Sequence, residues 1–495
     1  MEPIISRHIR NQILAEITPS KKEIALQGVV IDTLKSALSN YPSSHEYRYS
    51  FIEAQGSTGR KQTQLRGAAD IDLFVGLRPE GYTTILERPQ QSRHHEIDNL
   101  MNRMVKGWFE PALAGLDTTS VQRAFSQHPY LSLEMRGLEI DILGCFDIDQ
   151  DQLSARGPFT AVDRTVHHTQ YVADRLTDEK REDVRILKSF VRACHAYGDR
   201  CAVGRMGITG VSLELLAILS HNLDDAFEKL EKLRDTPIDP EKRSLKKLRK
   251  IGTFRDDYII LIDPTDHQRN IASSFTPRAY ECVRYRIGEL RKSSLAHDNS
   301  RLMELMVESP IPTDPLPDWL RNHAFAKEFK SDGSKHYTIL RDKLYRVAGK
   351  VQAALQVERT GEPRFGETLV EVVFEEDTFS IAFLIELPEV SKHYLRRGPP
   401  ITLIEAVEEF RKSHPEVDER DGYLWIREDR EWADPEILAD MILAQNPIHG
   451  LKQVTTTSDV SQKALNVLYK FVLPINQTFN RKITRVKDKD QDIPQ

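Results

Sequence analysis

The chain has 495 residues, is 39% hydrophobic and 29% charged, and carries 69 basic against 75 acidic side chains for a net charge of −6. A chain this long divides into about three or four domains, and the missing basic excess excludes a protein that holds nucleic acid by bulk charge. Four cysteines (Cys145, Cys194, Cys201, Cys282) without a CxxC exclude a disulfide scaffold or a zinc site, and they predict a reducing, cytoplasmic setting. No apolar stretch approaches the roughly 20 residues that span a bilayer, and the opening MEPIISRHIRNQ lacks the pattern of a signal peptide. A soluble intracellular protein with no membrane partner is expected.

In chain order, Ser20 and Glu23 form a capping-box pattern ahead of Ile24, Val30, Ile31, Leu34 and Leu38 at helical spacing, with Asn40, Tyr41 and Pro42 as the stop. Residues 46–54 alternate and predict a strand leading into Gly56-Ser57, and residues 70–77 predict a second strand ended by Pro79 and Gly81. Residues 95–113 read as helix. Residues 131–135 and 138–146 read as a hairpin turning at Arg136-Gly137. After Pro158 long helical stripes take over, such as Val184, Leu187, Val191 and Cys194, interrupted by a strand at 258–262 and the break Asp263-Pro264. A proline-rich hinge, 310–317, precedes a hairpin (369–374 and 379–387) and helices at 403–411 and 435–442. The charged end, 487–495, is expected to be disordered. Basic runs occur at Lys242-Arg243 with Lys246, Lys247, Arg249 and Lys250, at Lys392 with Arg396-Arg397, and at Arg481-Lys482 with Arg485 and Lys487. Each reads first as a solvated helix face or tail, with a local grip on a polynucleotide as the alternative.

Asp70 and Asp72 are two apart on a predicted strand, so both carboxylates leave one face while Ile71 and Leu73 enter the core. In the hairpin, Ile140 and Ile142 take the core face and leave Glu139 and Asp141 on the other. Adjacent like charges are tolerated best where a divalent cation bridges them. Asp70, Asp72 and Asp141 are the number of carboxylates that clamps two Mg²⁺ ions in phosphoryl transfer. Upstream, Gly56 lets backbone N–H groups approach a phosphate, the Ser57 hydroxyl adds a hydrogen bond, and Arg60 is within reach of the same group.

Gly-Ser, a short helix, then h-Asp-h-Asp-h and a later h-Asp-h resembles the signature of the DNA-polymerase-β-like nucleotidyltransferases. Within that superfamily, GSTGRKQTQLRGAADIDLF resembles the catalytic stretch of the archaeal (class I) CCA-adding enzymes, as does 128–130 followed by 138–143. The segment 163–169 is similar to the family's Arg-Thr-x-x-His-Thr, 182–191 with Tyr197-Gly198 to its central helical domain, and 263–272 to its Asp-Pro-x-Asp-x-x-Arg-Asn-x-Ala. Glu386-Leu387-Pro388 through Gly398-Pro399-Pro400 is similar to its tail-to-body junction. The sequence departs from the family at Asp70, where glutamate is common, and at Val211, where an aromatic is expected.

The resemblance implies a multidomain α+β protein: a small mixed-sheet catalytic head (1–155), a helical nucleotide-binding neck (156–275), an α+β body and tail gripping tRNA (276–450), and a C-terminal extension (451–495) with no readable motif. It implies template-free addition of C, C and A to the 3′ end of tRNA from CTP and ATP, with release of pyrophosphate and Mg²⁺ as cofactor, by a homodimer. Asp70, Asp72 and Asp141 would hold metal. Gly56, Ser57, Arg60, His168, Lys188 and Tyr197 would hold the triphosphate, with His167 as the alternative to His168, and Arg269 would contact the base. Read without the resemblance, Lys188 is a surface helix residue, Tyr197 packing, His168 a helix cap, and Arg269 an ion-pair partner of Asp263 or Asp266. Two rival functions remain at this point: a poly(A) or oligoadenylate-type polymerase, and an RNA-binding protein that has lost catalysis.

Overall fold

The computed structural model describes residues 3–68, 70–125 and 128–490. The chain divides into two compact units, one of residues 1–201 and 206–309 and the other of 202–205 and 310–495. No helix among the described residues is long and apolar enough to cross a membrane. The architecture is mixed α and β in both units, as the sequence predicts.

The first unit is built on a five-stranded mixed sheet. Its strands are β1 (Tyr49–Ala54), β2 (Asp70–Leu77), β3 (Thr119–Phe125), β4 (Pro129–Met135) and β5 (Leu138–Phe146), in the order β1-β2-β5-β4-β3. The predicted hairpin forms between β4 and β5, and β5 lies parallel to β2 at the centre of the sheet. Alternation sorts the side chains. Ile71, Leu73, Val75, Ile140 and Ile142 pack beneath the helices Lys21–Asn40 and Gln90–Met104 through Val30, Leu34, Leu38, Leu100, Met101 and Met104. Trp108 is fully buried in that layer and donates to the Leu38 carbonyl at 2.8 Å. The capping box at Ser20 and Glu23 is present. The second helix starts at Gln90 behind Pro89 rather than at 95, and it continues through a π-turn (Val105–Phe109) to Leu113.

The opposite face of β2 and β5 carries Phe74, Leu143 and Cys145, onto which Val162 and Val166 pack. These belong to a run of helices that includes Arg164–Ala173, Asp178–Ala193, Gly210–Ile218, Leu223–Lys232, Pro277–Leu295 and Asn299–Met306. The strand predicted at 258–262 is shorter and shifted. β6 (Ile262–Asp263) pairs with β7 (Asp266–Asn270), whose sequence DHQRN has no apolar alternation to announce it.

The second unit has a four-stranded antiparallel sheet of β8 (Ala324–Ser331), β9 (Thr368–Glu375), β10 (Thr378–Ile385) and β14 (Leu451–Val454), ordered β14-β8-β10-β9. The hairpin expected near 369–387 is β9–β10. Leu344, Val351 and Leu355 of the helix Tyr337–Gln356 and Leu438 and Ala439 of Pro435–Gln445 join Val370, Val372, Ile381 and Phe383 in one core. A smaller sheet, β11 (His393–Pro400), β12 (Asp418–Arg420) and β13 (Tyr423–Asp429), is accompanied by the helix Ile404–Ser413. The last helix runs Gln477–Asp490; the side chains of Arg485 and Lys487, and residues 491–495 of the charged end, lie outside the described residues. Several basic-run residues are engaged within the protein: Arg243 with Asp239, Arg396 with Glu428, and Lys482 with Glu367 and Glu386.

Candidate active site

The register of the sheet brings the three aspartates together. β2 and β5 pair Asp70 with Glu139 and Asp72 with Asp141, so four carboxylates from adjacent strands leave the same face at one end of the sheet. Asp70 and Glu139 are exposed at the rim, and Asp72 and Asp141 are half-buried below them. Burial, then Asp141 and Asp70 beside it, pushes the Asp72 carboxyl up to about 7, against the opposing field of Lys61. Burial followed by Glu139 raises Asp70 as well, and burial raises Asp141 although the Ser132 hydroxyl donates to it. None of Asp70, Asp72 and Asp141 has an ion-pair partner among the described residues. Arg200 stands nearby but pairs with Glu139 at 3.4 Å. Uncompensated hard carboxylate oxygens suit a divalent cation. Among the described residues no three His, Cys, Asp or Glu side chains close on one point.

Residues 56–61 form a turn where a short helix is predicted. Gly56 has φ +67°, a left-handed conformation that breaks helical geometry, and Gln62 adopts φ +48° at the far end. A Cβ on Gly56 would lie 2.4 Å from Asp72 Oδ2, so the loop passes directly over the carboxylate. The Thr58 hydroxyl donates to the Asp70 carbonyl at 2.9 Å, and the Thr63 N–H donates to the Ser57 carbonyl at 2.9 Å. Ser57 is half-buried. Arg60 is exposed; it donates to Glu53 at 3.1 Å and to Gln170 on the helix Arg164–Ala173 at 3.1 Å.

The remaining candidates fall into two groups. His168 is buried with Nε2 2.5 Å from Asp263 Oδ2, and Arg269 Nη1 reaches the same oxygen at 3.3 Å. The structure thus joins these two by the pairing foreseen for Arg269, and helix-capping is not the role of His168. His167, its neighbour, is half-buried and its pKa is lowered, chiefly by burial. Lys188 is also buried rather than at the surface. Its Nζ donates to the Thr63 carbonyl at 3.2 Å, the Thr63 hydroxyl at 2.9 Å and Glu214 at 2.9 Å. A Cβ on Gly210 would touch both the Tyr197 hydroxyl and the Lys188 stem, which places Tyr197 beside Lys188. Sequence reasoning passes over Glu214 and Lys61, although a lone acid inside the apolar helix Gly210–Ile218 is the kind of anomaly that marks a buried partner.

Asp263 supplies a testable electrostatic consequence. Burial would raise its carboxyl, but His168 and the Thr265 hydroxyl and N–H hold it down at about 2. A carboxylate depressed on folding stabilises above its unfolded pKa of about 3.9 and loses that stabilisation as pH falls towards the folded value. Asp263→Asn is therefore expected to be less stable than wild type by roughly 2 kcal/mol near neutrality, with the gap in melting temperature closing between pH 4 and pH 2. A pH-independent gap would contradict this electrostatic origin.

Residues 182–293 match the family described as "tRNA nucleotidyltransferase, second domain". A CCA-adding enzyme of Saccharolobus islandicus is 24% identical over 465 residues, covering 93% of this chain and 98% of the relative. A CCA-adding enzyme of Methanothermobacter thermautotrophicus is 30% identical over 217 residues, 44% of this chain and 42% of the relative. Among solved structures, a cytoplasmic RNA terminal U-transferase aligns over 62% of this chain and all of its own, at 13% identity and a TM-score of 0.44. Over nearly its whole length the chain is thus similar to archaeal proteins named CCA-adding enzymes, and its residues 182–293 match the second domain of tRNA nucleotidyltransferases.

Proposed function

We propose that this chain adds CCA to the 3′ end of tRNA, transferring CMP, CMP and AMP from CTP and ATP without a nucleic-acid template and releasing pyrophosphate. The observation that carries the chemistry is the pairing of Asp70 and Asp72 with Glu139 and Asp141 on one sheet face, under the Gly56–Lys61 turn. The near full-length likeness to CCA-adding enzymes carries the substrate.

In this reading Asp70, Asp72 and Asp141 hold Mg²⁺. When bound, the ion lowers the pKa of the terminal 3′-hydroxyl and offsets charge on the departing pyrophosphate. The chain's own groups position and orient. Ser57 and the backbone N–H groups around Gly56 hydrogen-bond the triphosphate, and Arg60 exchanges Glu53 for it. Lys188 and Tyr197 support that pocket from the helical side. Asp263 fixes His168 and Arg269 together, so that the fork of Arg269 donors is oriented for base acceptors. Residues 1–155 act as head, 156–275 as neck and 276–450 as body and tail, with 451–495 as an extension. The partners are tRNA, CTP and ATP, the assembly is a homodimer, and the compartment is the cytoplasm.

A polymerase of the poly(A) type makes a different product. ATP alone, offered with tRNA already ending in CC, should yield a single added A, and an unstructured oligoadenylate should not be extended. Long adenylate tails on either RNA would sink the CCA reading.

A further inference from the structure

Beneath the Gly56–Lys61 turn lies a fully buried ionic cluster that joins the sheet to the helices. Glu214 Oε2 accepts from Lys61 Nζ at 2.6 Å, and Glu214 Oε1 accepts from the Thr63 hydroxyl at 2.5 Å and from Lys188 Nζ at 2.9 Å. Glu214, Lys61, Lys188 and Thr63 are all at most 5% exposed. Two ammonium groups share one carboxylate, so the cluster carries an excess positive charge. Its field reaches Asp72, whose carboxyl is pulled down by Lys61. The same loop is pinned along its backbone from the helix Asp178–Ala193. Arg181 Nε donates to the Lys61 carbonyl at 3.1 Å, Arg185 Nη2 to that of Gln62 at 2.7 Å, and Arg185 Nε to that of Gln64 at 3.2 Å. Burying these cations is costly, and the arrangement persists only because every partner is present.

From this geometry we infer that Glu214 is the positioning residue of the triphosphate loop: through Thr63 it sets where Ser57 stands over the carboxylates. The chain of contacts is short. Glu214 fixes the Thr63 hydroxyl, the Thr63 N–H donates to the Ser57 carbonyl at 2.9 Å, and Lys188 grips Thr63 from its other side. Burial would raise the Glu214 carboxyl, but Lys188 and Lys61 hold it at about 2, so it stays ionised throughout the working pH range. Lys188 then acts on nucleotide through the loop that it braces. The helix Gly210–Ile218 thereby governs triphosphate affinity through Glu214 without itself touching the nucleotide. The inference rests on reading Ser57 as a triphosphate contact.

Thr63→Val removes the bridging hydroxyl while leaving both ion pairs and the side-chain shape. Expected are a roughly five- to tenfold weaker binding of CTP and ATP, measured by calorimetry with Mg²⁺, a matching rise in KM with kcat nearly unchanged, and a retained tRNA affinity. Glu214→Gln should weaken nucleotide binding further, and Glu214→Asp should recover part of the loss. If Glu214→Gln fails to fold, Thr63→Val decides alone. Unchanged nucleotide affinity in Thr63→Val overturns the inference, as does a parallel loss of tRNA affinity, which would indicate general damage. Because nucleotide binding is read directly, wild-type protein that binds CTP yet extends no tRNA removes the CCA reading while the Thr63→Val comparison still stands.

Discussion

Asp72→Asn is expected to lower nucleotide incorporation by about three orders of magnitude, which corresponds to ~4 kcal/mol of transition-state stabilisation. Asp72 lies opposite Asp141 in the parallel pairing of β2 and β5, at the half-buried centre of the carboxylate group. An amide keeps the shape but withdraws a full negative charge from the place where a divalent cation would bind. The same change removes a charge that Asp70 and Asp141 both oppose. The variant should consequently melt no lower than wild type in metal-free buffer while losing activity. Its tRNA affinity should be retained, because the site subtracts from, rather than adds to, the attraction for a polyanion. Steady-state incorporation and a thermal melt on one preparation check both halves. A fully active variant would exclude Asp72 from the chemistry.

Gly56→Ala should cost at least about a hundredfold in activity although it adds only one methyl group. Two effects act together. The φ of +67° is strained for alanine by about 1–2 kcal/mol. The new Cβ would also stand 2.4 Å from Asp72 Oδ2, well inside contact, so either the loop lifts or the carboxylate turns. Both displace Ser57 relative to the aspartates, and a shift on the order of 1 Å is enough for a loss of that size. Folding should survive, with a melting temperature only a few degrees lower. The discriminating readout is the metal dependence: the Mg²⁺ concentration for half-maximal activity should rise in Gly56→Ala. Wild-type activity in this variant would mean that the loop does not pass over the reacting groups.

How much of this was visible in the sequence differs from element to element. The shared face of Asp70 and Asp72, and that of Glu139 and Asp141, follows from period-two alternation with Ile71, Leu73, Ile140 and Ile142, and the sheet keeps it. The helix from Lys21 and the β4–β5 hairpin are local and were equally legible. Strands without an apolar face were not: β3 is exposed along nearly its whole length, and β7 is polar. The direct pairing of β2 with β5 is a tertiary event that brings Asp72 to Asp141, and alternation alone does not reveal it. The turn at Gly56 replaces a short helix because its positive φ and the close pass over Asp72 are set by the sheet below. The buried partners are the clearest gap. His168 meets Asp263 with 95 positions of separation, and Lys188 meets Glu214 across two helices; only the unexpected acid in an apolar helix hints at the second.

The most direct test is the length and sequence of product made by wild-type protein from tRNA trimmed of its 3′ end, with Mg²⁺, CTP and ATP. Addition of C, C and A followed by a stop, with only the two cytidines added when ATP is withheld, is the predicted result. An RNA that gains no nucleotide, or that acquires an open-ended adenylate tail, would contradict the account.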